Sequence, residues 1–153
     1  MMRASCVTAM LLVLPSLGRA LEVVPVAEDV WAIVGEKEQR SPENLGNNAT
    51  FGLVVSAAGA VLIDPGGSWK GAEALHAAVR SVTDAAEKYV INTGGQDHRW
   101  LGNSYWQAEG ATVIASNAAI DDQRTRGSMQ MTGLRQLIGT GLDGTEPAEA
   151  DVS

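Results

Sequence analysis

The sequence is poor in the residue types that carry nucleophilic and redox chemistry. Its 153 residues include one cysteine, Cys6, and two histidines, His76 and His98. It also contains no Gly-x-Ser-x-Gly turn and no glycine-rich loop ending in Gly-Lys-Ser or Gly-Lys-Thr. These absences argue against a serine hydrolase with a nucleophile elbow and against a P-loop nucleotide hydrolase.

Positive charge is also scarce. Eleven Lys and Arg residues stand against eighteen Asp and Glu residues, which gives a formal net charge of −7. Nucleic acids and anionic membranes are bound through clustered Lys and Arg. The composition therefore predicts neither as a partner and favours a small-molecule ligand or substrate, while leaving the oligomeric state open.

The first twenty residues are typical of a cleavable secretory signal. Met1–Arg3 supplies a short positive region, Met10–Leu14 an apolar core, and Ala20 the small residue at which signal peptidases cleave. A membrane anchor or a buried first helix is the alternative. However, the apolar stretch is well short of the ~20 residues needed to span a bilayer, and Pro15 interrupts it.

Cleavage after Ala20 would export the chain, and we expect a secreted or periplasmic location. It would remove two arginines and no acid, so that the formal charge becomes −9. Cys6 would leave with the leader, and the mature chain would then have no disulfide and no thiol chemistry.

Apolar periodicity predicts an α/β domain over residues 21–139. β-branched runs predict strands at Leu21–Val26, Val30–Val34, Thr50–Val55, Ala60–Ile63, Tyr89–Ile91 and Thr112–Ala115. Helical spacing predicts helices at Trp69–Val82, Trp100–Ala108 and Asn117–Ile138. Strands dominate the first half, and strand and helix alternate in the second.

Residues 140–153 are rich in Gly, Thr, Pro, Glu and Ala and show no apolar period, which predicts a flexible tail or a truncated linker. Four predicted strands without a helix come before the βα units, which is an unusual start for a complete domain. We therefore expect a fragment or a natural truncation. A complete small α/β domain with a frayed tail fits the composition equally well.

Asp64 is the first candidate functional residue. It follows an apolar strand and precedes Pro65–Gly67, so its carboxylate lies in a glycine-rich turn at the carboxyl edge of the sheet. Ligands of α/β proteins bind at that edge. The alternative is that Asp64 only accepts hydrogen bonds from N–H groups of its own turn.

Asp97 and His98 are the second candidate. They follow the strand at Tyr89–Ile91 and the turn that contains Gly94 and Gly95. A carboxylate and an imidazole can coordinate a metal ion or act as a base with its orienting partner. The alternative is a helix-capping Asp beside a partly exposed His.

Taken together, these two segments resemble the metallo-β-lactamase superfamily. In that family a strand ends in Asp-Thr-Gly, and a later strand ends in Thr-His-x-His-x-Asp-His followed closely by Gly-Asn. Ile63–Gly66 matches the first element, and Asn92–Thr93 and Gly102–Asn103 match the two ends of the second with the same spacing. The resemblance covers residues 21 to 140 and is closest to the periplasmic metallohydrolase-like branch associated with quinoprotein and sulfur-oxidation systems.

The resemblance implies an αββα sandwich, of which this chain would be the N-terminal half, and zinc-dependent hydrolysis of an ester, lactam or thioester. The His-x-His-x-Asp-His motif is degenerate. An ungapped alignment puts Gly94, Gln96, His98 and Arg99 at its ligand positions, and a one-residue shift pairs only Asp97–His98 with the family's Asp-His. Zinc is thus expected from the family, with an impaired or lost site.

If catalysis survives, the resemblance makes Asp97 and His98 the catalytic residues and metal ligands, with Asp64 holding the turn beneath them. The competing hypothesis is a metal-free periplasmic module or pseudoenzyme that binds a small anionic or quinone-like ligand through Gln96, His98, Arg99 and Trp106. A third possibility is a truncated remnant with neither function. His76, on the predicted first helix, is expected to be structural or exposed.

Overall fold

The computed structural model describes residues 21–153, and the predicted leader lies outside this range. A single mixed sheet carries three helices. The strands are β1 Glu22–Ala27, β2 Val30–Val34, β3 Thr50–Ser56, β4 Gly59–Ile63, β5 Glu87–Asn92 and β6 Thr112–Ala115. The helices are α1 Trp69–Arg80, α2 Asn103–Ala108 and α3 Asn117–Ile138, with short 3₁₀ turns at Asp97–Arg99 and Gly139–Leu142.

The six strands lie in the sheet in their sequence order. Strands β1 to β4 are antiparallel, and β4, β5 and β6 are parallel. The carboxyl ends of three neighbouring strands therefore meet at one edge of the sheet, where the loops after β4 and β5 lie side by side.

One face of the sheet forms the core. Alternate residues of β2, β3 and β4 point to this face, and Ile33, Leu53 and Leu62 are each 0% exposed. They pack against Leu75 of α1 and Trp106 of α2 in one contiguous cluster. Burial of these side chains contributes about 1.5–3 kcal/mol each to folding.

Helix α1 follows the predicted apolar spacing. Ser68 caps it, because the Ser68 hydroxyl accepts a hydrogen bond from the amide of Gly71 at 2.9 Å. Ala72, Leu75 and Val79 form the buried stripe, and Arg80 in the last turn complements the helix dipole. The predicted helix ran two residues further, to Val82.

Helix α2 begins at Asn103, three residues later than the predicted Trp100. Trp100 and Leu101 lie in the turn before it and pack against Leu134 and Ile138 of α3. The Trp100 indole also donates a hydrogen bond to the side chain of Gln130 at 2.8 Å. These tertiary contacts explain why apolar residues at helical spacing lie outside the helix.

Residues 140–153, which the sequence predicted to be a flexible tail, pack against the domain. Leu142 is 1% exposed, and the Thr145 hydroxyl accepts a hydrogen bond from the amide of Trp69 at 2.9 Å. Val152 pairs with Ile114 in parallel, next to β6. Backbone hydrogen bonds and two buried side chains therefore hold a segment that has no apolar period.

Among the described residues, no helix combines the length and the apolar character that crossing a bilayer requires.

Candidate functional site

The contact between Asp64 and Thr93 joins the two loops that the sequence singled out. Asp64 directly follows β4, and its carboxylate accepts a hydrogen bond from the amide of Thr93 at 2.8 Å. The Thr93 hydroxyl lies 2.8 Å from the other carboxylate oxygen. Asp64 is 7% exposed and adopts a left-handed backbone conformation with φ of 65°. Its carboxylate thus bridges to the neighbouring loop and does not merely close its own turn.

The loop after Asp64 packs closely on the start of α2. The Trp106 indole donates a hydrogen bond to the carbonyl of Pro65 at 2.9 Å, and the Gly102 amide donates one to Gly66 at 3.0 Å. A Cβ atom at Gly102 would lie 2.3 Å from the Pro65 carbonyl oxygen. Only glycine at position 102 allows the two backbones to approach this closely.

A buried amide pair supports the second loop from below. Asn92 ends β5 and Asn103 begins α2, and their side-chain amides exchange two hydrogen bonds at 2.9 and 3.0 Å. Both residues are nearly inaccessible, at 4% and 0% exposed. The pair fixes the two ends of the 93–102 segment, which are the positions that match the family motif.

Two glutamines of α3 hold the middle of the same segment. Gln123 donates a hydrogen bond to the carbonyl of Gly94 at 3.1 Å, and Gln130 donates one to Gly95 at 2.7 Å. Sequence reasoning missed both residues. Their spacing of seven positions, which places them on one face of a helix, was the available signal.

Helix α3 leaves no space for a side chain at position 95. A Cβ atom on Gly95 would lie 2.1 Å from Oδ2 and 2.8 Å from Cβ of Asp122. The short contact to Cβ means that rotating the Asp122 carboxylate would not relieve the clash. The glycine found where one alignment expects a histidine is therefore required by packing.

Asp97 and His98 lie together, and a third residue joins them. His98 Nδ1 is 3.2 Å from Asp97 Oδ1, and the His98 amide donates to the same oxygen at 2.8 Å. Nη2 of Arg40 lies 2.5 Å from that oxygen and 3.4 Å from His98 Nδ1. Arg40 belongs to the loop between β2 and β3, and the sequence analysis did not single it out.

The pKa of Asp97 reflects this cluster. Burial alone would raise it, but hydrogen bonds from His98 and Arg40 and the positive charge of Arg40 outweigh burial and lower the pKa to about 2. Asp97 is thus a carboxylate at neutral pH, and its charge is balanced by the Arg40 guanidinium.

The residues present do not fit a catalytic zinc ion. Such an ion takes about three protein ligands and keeps one position open for water. Residues 21–153 contain no group of three or more His, Cys, Asp and Glu side chains that could hold a metal. One donor atom of each predicted ligand, Asp97 Oδ1 and His98 Nδ1, lies near the Arg40 guanidinium.

The other predicted ligand-binding residues, Gln96, Arg99 and Trp106, lie in three different surroundings. Gln96 is exposed and, with Arg40 and Arg126, lines a cleft of about 340 Å³ between this loop and α3. Arg99 does not line this cleft and donates a hydrogen bond to the Thr93 hydroxyl at 2.9 Å. Trp106 is 0% exposed, so a ligand cannot reach it. Its side chain packs in the core and donates a hydrogen bond to the carbonyl of Pro65.

His76 does not contact Asp97 or His98 and takes part in a different network of the described residues, with Tyr105 and Arg80. Nδ1 of His76 is 2.8 Å from the Tyr105 hydroxyl, and Nε2 accepts a hydrogen bond from Arg80 at 3.1 Å. Burial, followed by the negative charge of nearby glutamates, raises the pKa of Tyr105 to about 12. Tyr105 therefore stays protonated, and His76 packs on the core as the sequence analysis expected.

Replacing Asp64 should show what its carboxylate contributes. In Asp64→Gly, loss of the bonds to Thr93 should lower the free energy of unfolding by about 1–3 kcal/mol. Asp64→Ala should lose about 1 kcal/mol more, because alanine is strained in the left-handed region. Urea denaturation of both variants measures this. Equal losses would mean that the backbone conformation contributes nothing.

Acidification should reveal how much the ionised Asp97 carboxylate contributes to the free energy of unfolding. Because the folded-state pKa lies below the ordinary value of 3.8, its stabilisation is complete above that value and is lost as the pH falls towards about 2. Allowing for solvent screening, the loss should be about 1–2 kcal/mol. Between pH 5 and pH 3, urea denaturation should show about 1 kcal/mol more loss for the natural chain and for Asp121→Asn, an exposed control, than for Asp97→Asn.

Comparison with known proteins finds solved structures with a similar fold. No profile of a known family and no curated protein matches the sequence. Among solved structures, a metallo-β-lactamase from Pontibacter korlensis superposes with a TM-score of 0.61 at 19% identity, covering 87% of this chain and 52% of that one. The mono-zinc form of metallo-β-lactamase FIM-1 from Pseudomonas aeruginosa gives 0.61 at 11% identity, covering 90% and 52%.

A third metallo-β-lactamase, from Hirschia baltica, superposes with a TM-score of 0.58 at 15% identity, covering 71% of this chain and 49% of that one. The chain thus spans about half the length of these structures. At such identities the likeness concerns the fold alone. The described residues have a mixed α/β, metallo-β-lactamase-like fold that corresponds to part of the larger domain.

Proposed function

We propose that this chain is an exported, metal-free ligand-binding protein built on a metallo-β-lactamase-like fold. In this proposal the loops at the carboxyl edge of the sheet hold a small anionic molecule. The observation that carries it is the position of Arg40, whose guanidinium contacts both residues that the family resemblance implies as metal ligands.

A guanidinium in this position competes directly with a metal ion. Arginine stays protonated at every physiological pH, and its Nη2 contacts Asp97 Oδ1 and lies near His98 Nδ1. A divalent cation that used the same two atoms would have to displace Arg40 or accept its repulsion. The positive charge that a metal would supply to Asp97 is already present.

A third metal ligand is also missing from the loop. Gly94 and Gly95 carry no donor, and α3 excludes a side chain at position 95. Gln96 offers only an amide oxygen, which suits harder cations than zinc. These features support a site that has been rebuilt for another purpose.

Arg99 is the group best placed to bind an anion. Among residues 21–153, no carboxylate lies within 4.0 Å of its guanidinium nitrogens, whereas Arg40 and Arg126 are paired with Asp97 and Asp122. Its Nε is buried without a hydrogen-bond partner, and one Nη donates to Thr93. Since Nε is buried, a carboxylate or sulfate-like group would accept its hydrogen bonds from the two Nη groups of the guanidinium.

Two observations support export. Strand β1 begins at Glu22, the second residue after the predicted cleavage site at Ala20, so cleavage there would leave the whole described sheet intact. The mature chain would also contain no cysteine to oxidise outside the cytoplasm.

The second candidate, a metal-dependent hydrolase, is favoured by one observation. His98 and Asp97 are in contact at 3.2 Å, and a carboxylate that orients an imidazole is a common arrangement for a general base. Metal content and hydrolysis separate the two candidates.

The first test is zinc binding by the chain recovered from the exported fraction, whose first residue should be Leu21. After equilibration with zinc and dialysis, elemental analysis should find far less than the approximately one zinc per chain of a catalytic site. An ester or β-lactam reporter should stay intact. Arg40→Met, which removes the competing charge, should bind zinc weakly through Asp97 and His98. One tightly held zinc in the natural chain, with reporter hydrolysis, would establish the hydrolase instead.

The second test is anion binding at Arg99. Titration with sulfate and with benzoate, followed by NMR, should shift the amide signals of Thr93 and Gly94. Arg99→Gln should weaken binding about 10-fold, because the charged two-point contact is lost. Arg124→Gln is the matched control, since Arg124 pairs with Glu149 on the exposed side of α3 at 2.7 Å. Equal affinities for the three proteins would remove Arg99 from the site.

A further inference from the structure

His76 and its neighbours form a second cluster of titratable side chains, separate from the candidate site. His76 lies on α1 beside the buried stripe, and 13% of its side chain is exposed. Its ring packs on the rings of Tyr105 and Trp106 of α2, with centroid distances of 5.8 and 5.0 Å. Because these aromatic rings hold the imidazole in place, its two nitrogens can exchange partners only if the neighbouring side chains move.

The hydrogen bond from Arg80 fixes which ring nitrogen carries a proton. Nε of Arg80 donates to Nε2 of His76 at 3.1 Å. An arginine nitrogen stays protonated and cannot accept a hydrogen bond, so Nε2 must be the acceptor. A neutral imidazole then carries its proton on Nδ1, which donates to the Tyr105 hydroxyl oxygen at 2.8 Å. In this geometry His76 is therefore a neutral ring that is protonated on Nδ1.

Glu87 is placed to accept a hydrogen bond from the same ring nitrogen. Its Oε2 lies 3.6 Å from Nε2 of His76, slightly beyond hydrogen-bond distance. Its side chain is only 5% exposed, and its Oε1 is buried with no hydrogen-bond partner among the described residues. A buried acceptor without a partner is unfavourable, so a donor that reached Glu87 would stabilise it.

Charged groups face His76 from the elements that pack against it. Arg80 on α1 repels a second proton on the ring. Three carboxylates favour that proton, because they bring negative charge to the ring or to the Tyr105 hydroxyl beside it. They are Glu73 on α1, Glu87 on β5 and Glu109, which follows α2. The ring can therefore hold a second proton if Arg80 moves away from Nε2.

Arg80 can move because it lies at the surface. It is the last residue of α1, and its side chain is 40% exposed. It also donates hydrogen bonds to the Ala85 carbonyl at 3.2 Å and to Oε2 of Glu87 at 3.1 Å. Arg80 thus connects the loop between α1 and β5, residues 81–86, to the His76 ring.

We propose that His76 is a proton-operated switch for the loop at residues 81–86. When Nε2 takes up a proton from solvent, it becomes a donor and no longer accepts from Arg80. The charged ring then donates to Glu87, while Arg80 moves into solvent and releases the Ala85 carbonyl. Histidine is the side chain whose charge changes between pH 5 and 8, which places this exchange in the physiological range.

The switch lies at the opposite end of β5 from the candidate site. The loop at residues 81–86 precedes this strand, whereas the segment from Thr93 to Gly102 follows it. The inference therefore does not depend on the proposed ligand, and its failure would leave the proposed function unchanged.

NMR of the imidazole nitrogens in the natural chain tests the proposal. At pH 8, Nδ1 of His76 should be protonated and Nε2 should not. At pH 5 both nitrogens should be protonated, and the amide signal of Ala86, which adjoins the Ala85 carbonyl, should shift. His76→Gln should lack this shift, because its side chain does not titrate. His98→Gln is the matched control, since it removes the other histidine of the chain and should keep the shift.

Glu87→Gln tests the proposed acceptor. It keeps the shape of the side chain but loses the charge, so proton binding by the His76 ring should weaken at least about 10-fold. Glu109→Gln is the matched control, because Glu109 is 49% exposed and 4.0 Å from Nδ1, and the weakening should be about 3-fold or less. A natural chain with Nε2 protonated at pH 8, or with a neutral His76 ring at pH 5, would overturn the proposal. So would an Ala86 shift that persists in His76→Gln.

Discussion

The contact between the Asp64 carboxylate and Thr93 is the constraint on which the site depends. Asp64 ends one parallel strand and Thr93 follows its neighbour, so one buried side chain sets the separation of the two loops. The left-handed backbone of Asp64 directs the carboxylate towards Thr93, and Arg99 then binds the Thr93 hydroxyl. The Asp64 carboxylate thus positions Arg99 through the Thr93 hydroxyl.

Arg40 changes the electrostatics of this edge. A metallohydrolase site concentrates positive charge on an ion that polarises water, whereas here the charge is spread over a guanidinium already paired with Asp97. An arginine offers hydrogen bonds but no open coordination position. In the proposed function, this arrangement and the glycines at 94 and 95 serve recognition of a ligand.

Much of the fold could be predicted from the sequence because its signals are local. The alternation of β3 and β4 and the capping serine of α1 depend on near neighbours, and those elements lie where expected. The adjacency of the Asp64 and Thr93 loops followed from two neighbouring parallel strands. Arg40 could not be found in this way, since it meets Asp97 across 57 positions of sequence. Residues 140–153 were misjudged for the same reason, because distant backbone partners hold them.

The close packing of Gly95 against Asp122 limits which residues this loop can accommodate. A histidine could not be placed at position 95, because α3 occupies the volume that its side chain needs, whereas a Cβ atom at position 94 would make only ordinary contact with the Arg99 side chain. Gln123 and Gln130 further hold the loop in this position. A side chain at position 95 would therefore require the helix and the loop to separate first.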